Sequence, residues 1–234
     1  METMATPKCW QDFHDVIDAG IQRIILHGNP GTGKTFTALT HGVSNAGALR
    51  LICSEEMTSA DIEGTWKPSA TEWHYSEGVA VKAWRSGARL VVDEGDKASG
   101  DIIGKLLNFL DSVGSSSWQN PETGEVITPH SEFSAIITSN IEEPDHLPTA
   151  LRDRFSVAIN INAPHPNALL ALPENLRVIA NAVISAEPER RVSLRAFYDY
   201  ATLLERMPME RAGELVFGAN RAEAIIDAIK MGSF

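Results

Sequence analysis

Apolar residues recur along the first two thirds of the chain in short blocks that alternate between two spacings. Trp10, Phe13, Val16 and Ile17 have helical spacing within residues 10–20 and lead into an apolar, β-branched run at 24–27, which predicts a buried parallel strand. Residues 36–41 begin a helix, and 48–53 form a second apolar run that predicts another buried strand. Residues 55–73 are largely polar and contain Gly64 and Pro68, so they predict a loop with a short helix. Helical spacing returns at 78–85, and the run at 89–94 stays apolar after Arg89 until it ends in two carboxylates. Ile102, Ile103, Leu106, Leu107 and Leu110 mark an amphipathic helix. Residues 114–132, with Gly114, Pro121, Gly124 and Pro129, predict a β-hairpin that turns at 120–124. Further buried strands are predicted at 134–138 and 157–161. Strands alternating with helices imply an α/β fold whose parallel sheet is covered on both faces.

Beyond the Pro-rich segment at 163–166 the pattern becomes purely helical: 169–186, 193–207, then two short helices between 209 and 230. A length of 234 residues suits one α/β domain with a small helical appendage. The predicted division is a 1–163 α/β core followed by a 164–234 helical subdomain. With 43% hydrophobic residues the chain can bury a real core. A formal net charge of −11 disfavours a broad grip on nucleic acid, and leaves open a local basic patch or the central channel of an oligomer. Cys9 and Cys53 are far apart and fit a reduced compartment better than a disulfide. The first residues lack a signal-peptide pattern, and no apolar run approaches the roughly 18 residues of a membrane span. A cytoplasmic protein that does not enter membranes is expected.

Residues 28–35 read Gly-Asn-Pro-Gly-Thr-Gly-Lys-Thr, the spacing of a polyphosphate-binding loop. Glycines allow successive backbone N–H groups to turn inward around phosphates, Lys34 reaches the β- and γ-phosphates, and the Thr35 hydroxyl can ligate Mg²⁺. The helix that follows points its positive end at the same place. The nucleotide-contacting set is therefore Gly28, Asn29, Pro30, Gly31, Thr32, Gly33, Lys34, Thr35 and Phe36. Asp93 and Glu94 end a strand, where ligands bind in open α/β sheets. Asp93 would hold Mg²⁺ with Thr35, and Glu94 would orient a water for in-line attack on the γ-phosphate. The run at 135–140 ends in Asn140, which could hydrogen-bond that water or the γ-phosphate. Arg152 and Arg154 are candidates for a finger offered across a subunit boundary; surface ion pairs with Asp153 or Asp145 are the plainer alternative.

This ordered set resembles the AAA+ ATPases, in particular their MoxR-like and dynein-related branch, which includes ATPase subunits of metal chelatases and activators of rubisco. Residues 28–35 resemble the Walker A motif and 90–94 the Walker B motif, while Asn140 falls at the sensor 1 position. Residues 147–155 are similar to the branch's LP-x-A-x-x-x-RF signature, which favours Arg154 over Arg152 as the finger. Residues 192–196 resemble the sensor 2 motif and put Arg195 on the lid, although the solvated face of an amphipathic helix would look the same. The segments 72–78 and 83–87 and the hairpin before sensor 1 resemble the same branch. Gly95-Asp96 departs from it, replacing the more usual Ile or Ala with Asn or Asp, and leaves the orientation partner of Glu94 undefined.

The resemblance implies a P-loop αβα sandwich with a helical lid, an AAA+ module. It implies an ATPase using ATP and Mg²⁺ in a ring of identical subunits, usually a hexamer, with hydrolysis transmitted to a client or adaptor protein. Its catalytic set would be Lys34, Glu94, Asn140, Arg152, Arg154 and Arg195. The 64–66 segment and the 114–132 hairpin are candidate client contacts, with Trp66 and Trp118 equally readable as packing anchors. The alternative is a DNA-associated motor of helicase-loader or translocase type, which stimulation of hydrolysis by DNA would reveal. A nucleotide switch without turnover, or a small-molecule kinase, would not need the full series of charged residues.

Overall fold

The computed structural model describes residues 5–111, 114–184 and 191–231. Contacts group the chain into two compact units: Phe13–Gly28 with Lys34–Asn160, and Met1–Asp12 with Asn29–Gly33 and Ile161–Phe234.

The first unit is built on a sheet. After helix α1 (Lys8–Asp18) come strand β1 (Arg23–His27), helix α2 (Lys34–Thr40) and strand β2 (Ala48–Ile52). A short helix α3 (Ser59–Ile62) precedes an antiparallel hairpin, β3 (Gly64–Pro68) and β4 (Trp73–Glu77). Helix α4 (Val79–Ser86), strand β5 (Arg89–Asp93) and helix α5 (Gly100–Leu110) follow. The small hairpin β6 (Trp118–Gln119) and β7 (Val126–Ile127) leads to β8 (Ala135–Thr138), α6 (Thr149–Arg152) and β9 (Val157–Asn160). Among the described residues five strands form one sheet in the order β2-β5-β8-β1-β9, with every neighbouring pair parallel. This is the α/β architecture expected from the alternation of apolar runs.

Position in the sheet explains the composition of each strand. β5 and β8 are central and buried on both faces, so they carry unbroken apolar runs. β2 lies at the edge; Ile52 is 54% exposed and Arg50 projects a charge from its middle. The expectation of a fully buried strand at 48–53 is corrected there: an edge strand has only one neighbour to cover it. The core of this unit gathers Trp84, Phe109 and Leu106 against sheet residues such as Leu90, Val92 and Ile137. The Trp84 and Phe109 rings lie 4.6 Å apart, and the Trp84 indole N–H donates to the Phe109 carbonyl oxygen at 3.1 Å. Each such ring contributes about 2–3 kcal/mol of burial.

The 55–73 segment also differs from its expectation. It contains α3, but Gly64–Pro68 pairs with Trp73–Glu77 as a ladder. Gly64 has φ 125°, and a Cβ there would lie 2.3 Å from the Ser76 carbonyl oxygen. The residue read as a loop signal is what lets the two strands approach. The expected hairpin at 114–132 is present as β6 and β7, closed by the Gly124 N–H donating to the Asn120 carbonyl oxygen at 2.8 Å.

The second unit contains helices α7 (Pro166–Leu170), α8 (Glu174–Ile184), α9 (Leu194–Leu204), α10 (Met209–Phe217) and α11 (Ala219–Met231). The single helix expected at 169–186 is two helices, because Pro173 cannot continue α7 and instead opens α8; residues 185–186 lie outside the described residues. Phe197, Tyr200 and Phe217 form the aromatic centre, with Phe217 5.3 Å from Phe197 and 4.9 Å from Tyr200 between centroids. Trp10, wholly buried, joins this unit by donating its indole N–H to the Ala163 carbonyl oxygen at 2.9 Å. Cys9 and Cys53 are free and buried. Among the described residues no helix is long and apolar enough to cross a membrane.

Candidate functional site

Within the sheet unit, β1, β5 and β8 run parallel and side by side, so their carboxyl ends bring Gly28, Asp93 and Asn140 to one end of the sheet. Register sets the finer placement: Asp93 pairs with Thr138 across the β5–β8 ladder and with Ile52 across β2–β5. At the end of β1, Gly28 donates its N–H to the Ile141 carbonyl oxygen at 3.0 Å.

Lys34, the first residue of α2, is only 5% exposed. Its ammonium donates to the Gly28 carbonyl oxygen at 2.9 Å and to the Asn140 Oδ1 at 3.1 Å. Burial pulls its pKa down to about 8, against the opposing pull of Asp93 and Asp96. A buried ammonium at a helix N-terminus is a site that gains from an anionic ligand.

Asp93 is 5% exposed and collects donors from three strands or helices. The Thr35 hydroxyl donates to its Oδ1 at 2.8 Å, and the Thr138 hydroxyl donates to the same oxygen. Arg50 donates to Oδ2 through Nε at 2.9 Å and through Nη2 as well. Burial pushes the Asp93 pKa up, but the donors from Thr138, Arg50 and Thr35 outweigh it and hold the carboxyl below its ordinary range. These residues fit Mg²⁺. Thr35 spends its proton on Asp93 and keeps oxygen lone pairs for a cation, while the Arg50 guanidinium stands as a cation on the other carboxylate oxygen.

Glu94 is the one non-glycine residue with left-handed backbone among the described residues, at φ 57° and ψ 42°. That conformation costs about 1–2 kcal/mol and turns the chain sharply out of β5. Glu94 Oε2 accepts from Lys97 Nζ at 2.7 Å. The turn needs Gly95, where a Cβ would lie 2.7 Å from Ile137 Cγ2. Asp96 accepts from the Ser139 hydroxyl, tying the turn to the end of β8. The departure at Gly95-Asp96 thus has a structural cause, and Lys97 is the partner of Glu94 in this state.

Arg89, at the start of β5, is 3% exposed. Its guanidinium donates to the carbonyl oxygens of Ala38, His41 and Gly42 at the C-terminal end of α2, and to Ser134 Oγ at 3.2 Å. Burial draws its pKa down to about 10, leaving it charged at neutral pH. It fixes the short helix that carries Lys34 and Thr35 at its other end.

In the helical unit, loop residues 29–33 pack on that unit's own elements. The Thr32 hydroxyl donates to the Asn29 carbonyl oxygen at 3.0 Å, and the Thr32 carbonyl oxygen accepts from the His165 N–H at 3.2 Å. Gly31 has φ 75°, and a Cβ there would lie 2.7 Å from Ser193 Cβ. Ser193 caps α9, whose second residue is the exposed Arg195. Pro30 and Phe36 are both exposed, Phe36 at 72%.

Arg152 and Arg154 make their ion pairs apart from the Lys34–Asp93 cluster. Arg152 pairs with Asp145, the plainer of its two sequence-based readings. Arg154 pairs with Asp111 at 3.0 Å and donates to the Ala150 carbonyl oxygen at 2.9 Å. Sequence reasoning missed Arg50, Arg89, Lys97 and Thr138. Arg50 had a signal, a charge inside an apolar run; Thr138 had none, because its role depends on the register beside Asp93.

The chain is similar to several known proteins. An uncharacterized protein of Staphylococcus haemolyticus is 28% identical over 218 residues, covering 82% of this chain and 81% of its own length. One of Staphylococcus epidermidis is 26% identical over 243 residues, covering 90% of each. Midasin of Dictyostelium discoideum is 28% identical over 146 residues, 57% of this chain and 2% of that protein. Among solved structures, NtrX of Brucella abortus in complex with ATP superposes with a TM-score of 0.51 at 13% identity, over 100% of this chain and 70% of that one. The family model for the AAA domain (dynein-related subfamily) matches residues 23–155, more than half of the chain, which therefore belongs to that family.

Proposed function

We propose that this chain is an ATPase that binds ATP with Mg²⁺ and works as a ring of identical subunits on a partner protein. The carrying observation is the single cluster formed by Lys34, Thr35, Asp93 and Asn140, with Glu94 next to it. In this reading the N–H groups of the 28–35 loop, Pro30 excepted, cradle the phosphates, and Lys34 exchanges its contacts with Gly28 and Asn140 for phosphate oxygens. Thr35 and Asp93 would hold Mg²⁺, which would supply charge withdrawal from the phosphates. Glu94 leaves Lys97 to orient the attacking water, and Asn140 fixes that water or the γ-phosphate. Arg154, or Arg152, reaches a neighbouring subunit's nucleotide, and Arg195 acts from the helical unit. A closed heterologous ring, of six subunits in the usual case, would place the finger there. Client activation of the MoxR-like kind, on a protein or metal-insertion complex, is the use this reading favours.

The test couples hydrolysis to assembly. Phosphate release from ATP and solution mass are measured for wild type, Glu94→Gln and Arg154→Ala. The proposal expects ATP-dependent assembly of wild type and Glu94→Gln. It expects turnover reduced about 10²-fold or more in Glu94→Gln and in assembled Arg154→Ala. A wild-type protein that stays monomeric with ATP and releases no phosphate would overturn it.

A further inference from the structure

Asp93 receives four hydrogen bonds, and half of them come from Arg50, a residue outside the phosphate-binding loop. The two hydroxyls of Thr35 and Thr138 share Oδ1, while Arg50 alone takes both donations to Oδ2. Oδ1 is thus held by two hydroxyls and Oδ2 by a guanidinium, so Oδ2 is the oxygen that withdrawal of a single side chain would free for a metal ion or its bound water.

The two partners differ in freedom. The Asp93 side chain is 7% exposed and fixed by its strand and by two hydroxyls, whereas that of Arg50 is 45% exposed on the edge strand β2. A buried carboxylate is costly to keep ionised without donors and a counter-charge. Arg50 supplies that charge from a long stem able to withdraw into solvent. Thr35 does not compete with a cation in this way, since its proton points at Asp93 and its lone pairs remain available.

We infer that Arg50 is an exchangeable counter-ion of Asp93: it neutralises the carboxylate while the metal site is empty and yields Oδ2 when Mg²⁺ enters with the nucleotide. This rests on the nucleotide-binding reading above. Its consequence is a thermodynamic competition, in which Arg50 raises the Mg²⁺ concentration needed to load the site and stabilises the unloaded protein. It also links edge strand β2 to the loading state, since Arg50 has to move for the metal to bind.

The experiment uses the full chain with a fluorescent N-methylanthraniloyl ADP, titrated with free Mg²⁺, alongside thermal melts with and without Mg²⁺–ADP. Arg50→Gln is expected to lower the half-saturating Mg²⁺ concentration roughly fivefold, the scale of a half-exposed ion pair. It is also expected to melt earlier than wild type without ligand, the difference closing at saturating Mg²⁺–ADP. Arg50→Lys, which keeps the charge but not the paired donation, should shift the midpoint in the same direction by less, and serves if Arg50→Gln does not fold. A midpoint that is unchanged or raised in these variants, with wild type binding normally, overturns the role of Arg50 alone. Wild type that fails to bind the nucleotide with or without Mg²⁺ overturns the nucleotide reading and this inference together.

Discussion

The guanidinium of Arg89 donates to the carbonyl oxygen of Ala38 at 3.0 Å, joining the first residue of β5 to the far end of the helix that begins with Lys34. Arg89 also serves His41 and Gly42, so one buried cation satisfies an open carbonyl in the last turn of α2 and those of the two residues that follow it. Arg89→Met fills similar volume but removes all of these donors. Buried acceptors without donors cost about 1–3 kcal/mol each, partly relieved by water. The expected loss is ~3 kcal/mol, a fall in melting midpoint of about 6–12 °C. Thermal denaturation followed by circular dichroism checks it. Nucleotide affinity should fall too, because the position of α2 is what aims Lys34.

The same end of α2 makes stability depend on pH. The His41 ring stacks on His14 with centroids 4.2 Å apart. Burial lowers the His41 pKa, and the charges of His14 and Arg89 lower it further against the opposing Asp18. With the folded value below the unfolded 6.5, the folded state resists protonation more than the unfolded chain does. The contribution is complete above about pH 6.5 and is lost as pH falls through the folded value. The melting midpoint should therefore drop between about pH 7.5 and pH 5. In His41→Gln the slope should be shallower but not flat, because burial also lowers the pKa of His27. Equal slopes for the two proteins would remove His41 from the account.

Gly31 tests whether the 28–35 loop tolerates any side chain at that position. Its φ of 75° disfavours L-residues, and a Cβ would lie 2.7 Å from Ser193 Cβ and 3.0 Å from Ser193 Cα. Gly31→Ala is expected to cost ~1–3 kcal/mol through strain and displacement of the α9 N-terminus. Gly47→Ala is the control: its φ is also 75°, but a Cβ there meets nothing within 4 Å. Calorimetric midpoints should put Gly31→Ala below Gly47→Ala. Equality would mean that strain alone, and not the approach of Ser193, sets the cost.

These residues also show what a sequence can and cannot disclose. The parallel strands at β1, β5 and β8 were legible because central strands are apolar on both faces. That Lys34, Thr35, Asp93 and Asn140 meet at one end of the sheet was legible because the loop spacing and the strand ends place them there. Thr138 acts only through lateral register, which no local pattern specifies, whereas Arg50 stood out as a charge inside an apolar run without disclosing that Asp93 is its partner. The β3–β4 hairpin was hidden because its exposed ladder, with Trp73 63% exposed, lacks the alternation of a half-buried strand. Lys97 was hidden because its pairing with Glu94 requires a left-handed turn at Glu94, a conformation rare outside glycine.

That turn makes the last prediction. Glu94 is held by an exposed ammonium at 2.7 Å, so the water-orienting role proposed for it requires breaking the contact. Lys97→Ala removes the holder without touching the carboxylate. It should leave the melting midpoint unchanged, since an exposed ion pair adds little to folding. Basal turnover should rise, by no more than about fivefold, because only the release of Glu94 is made easier. The increase should lie in kcat with KM unaffected, as Lys97 contacts none of the residues assigned to phosphate binding. The double variant Lys97→Ala with Glu94→Gln should be as inactive as Glu94→Gln alone, because freeing a residue that has lost its carboxylate restores nothing. Steady-state phosphate release across ATP concentrations separates the two parameters. A Lys97→Ala enzyme slower than wild type would instead place Lys97 among the groups that assist the reaction.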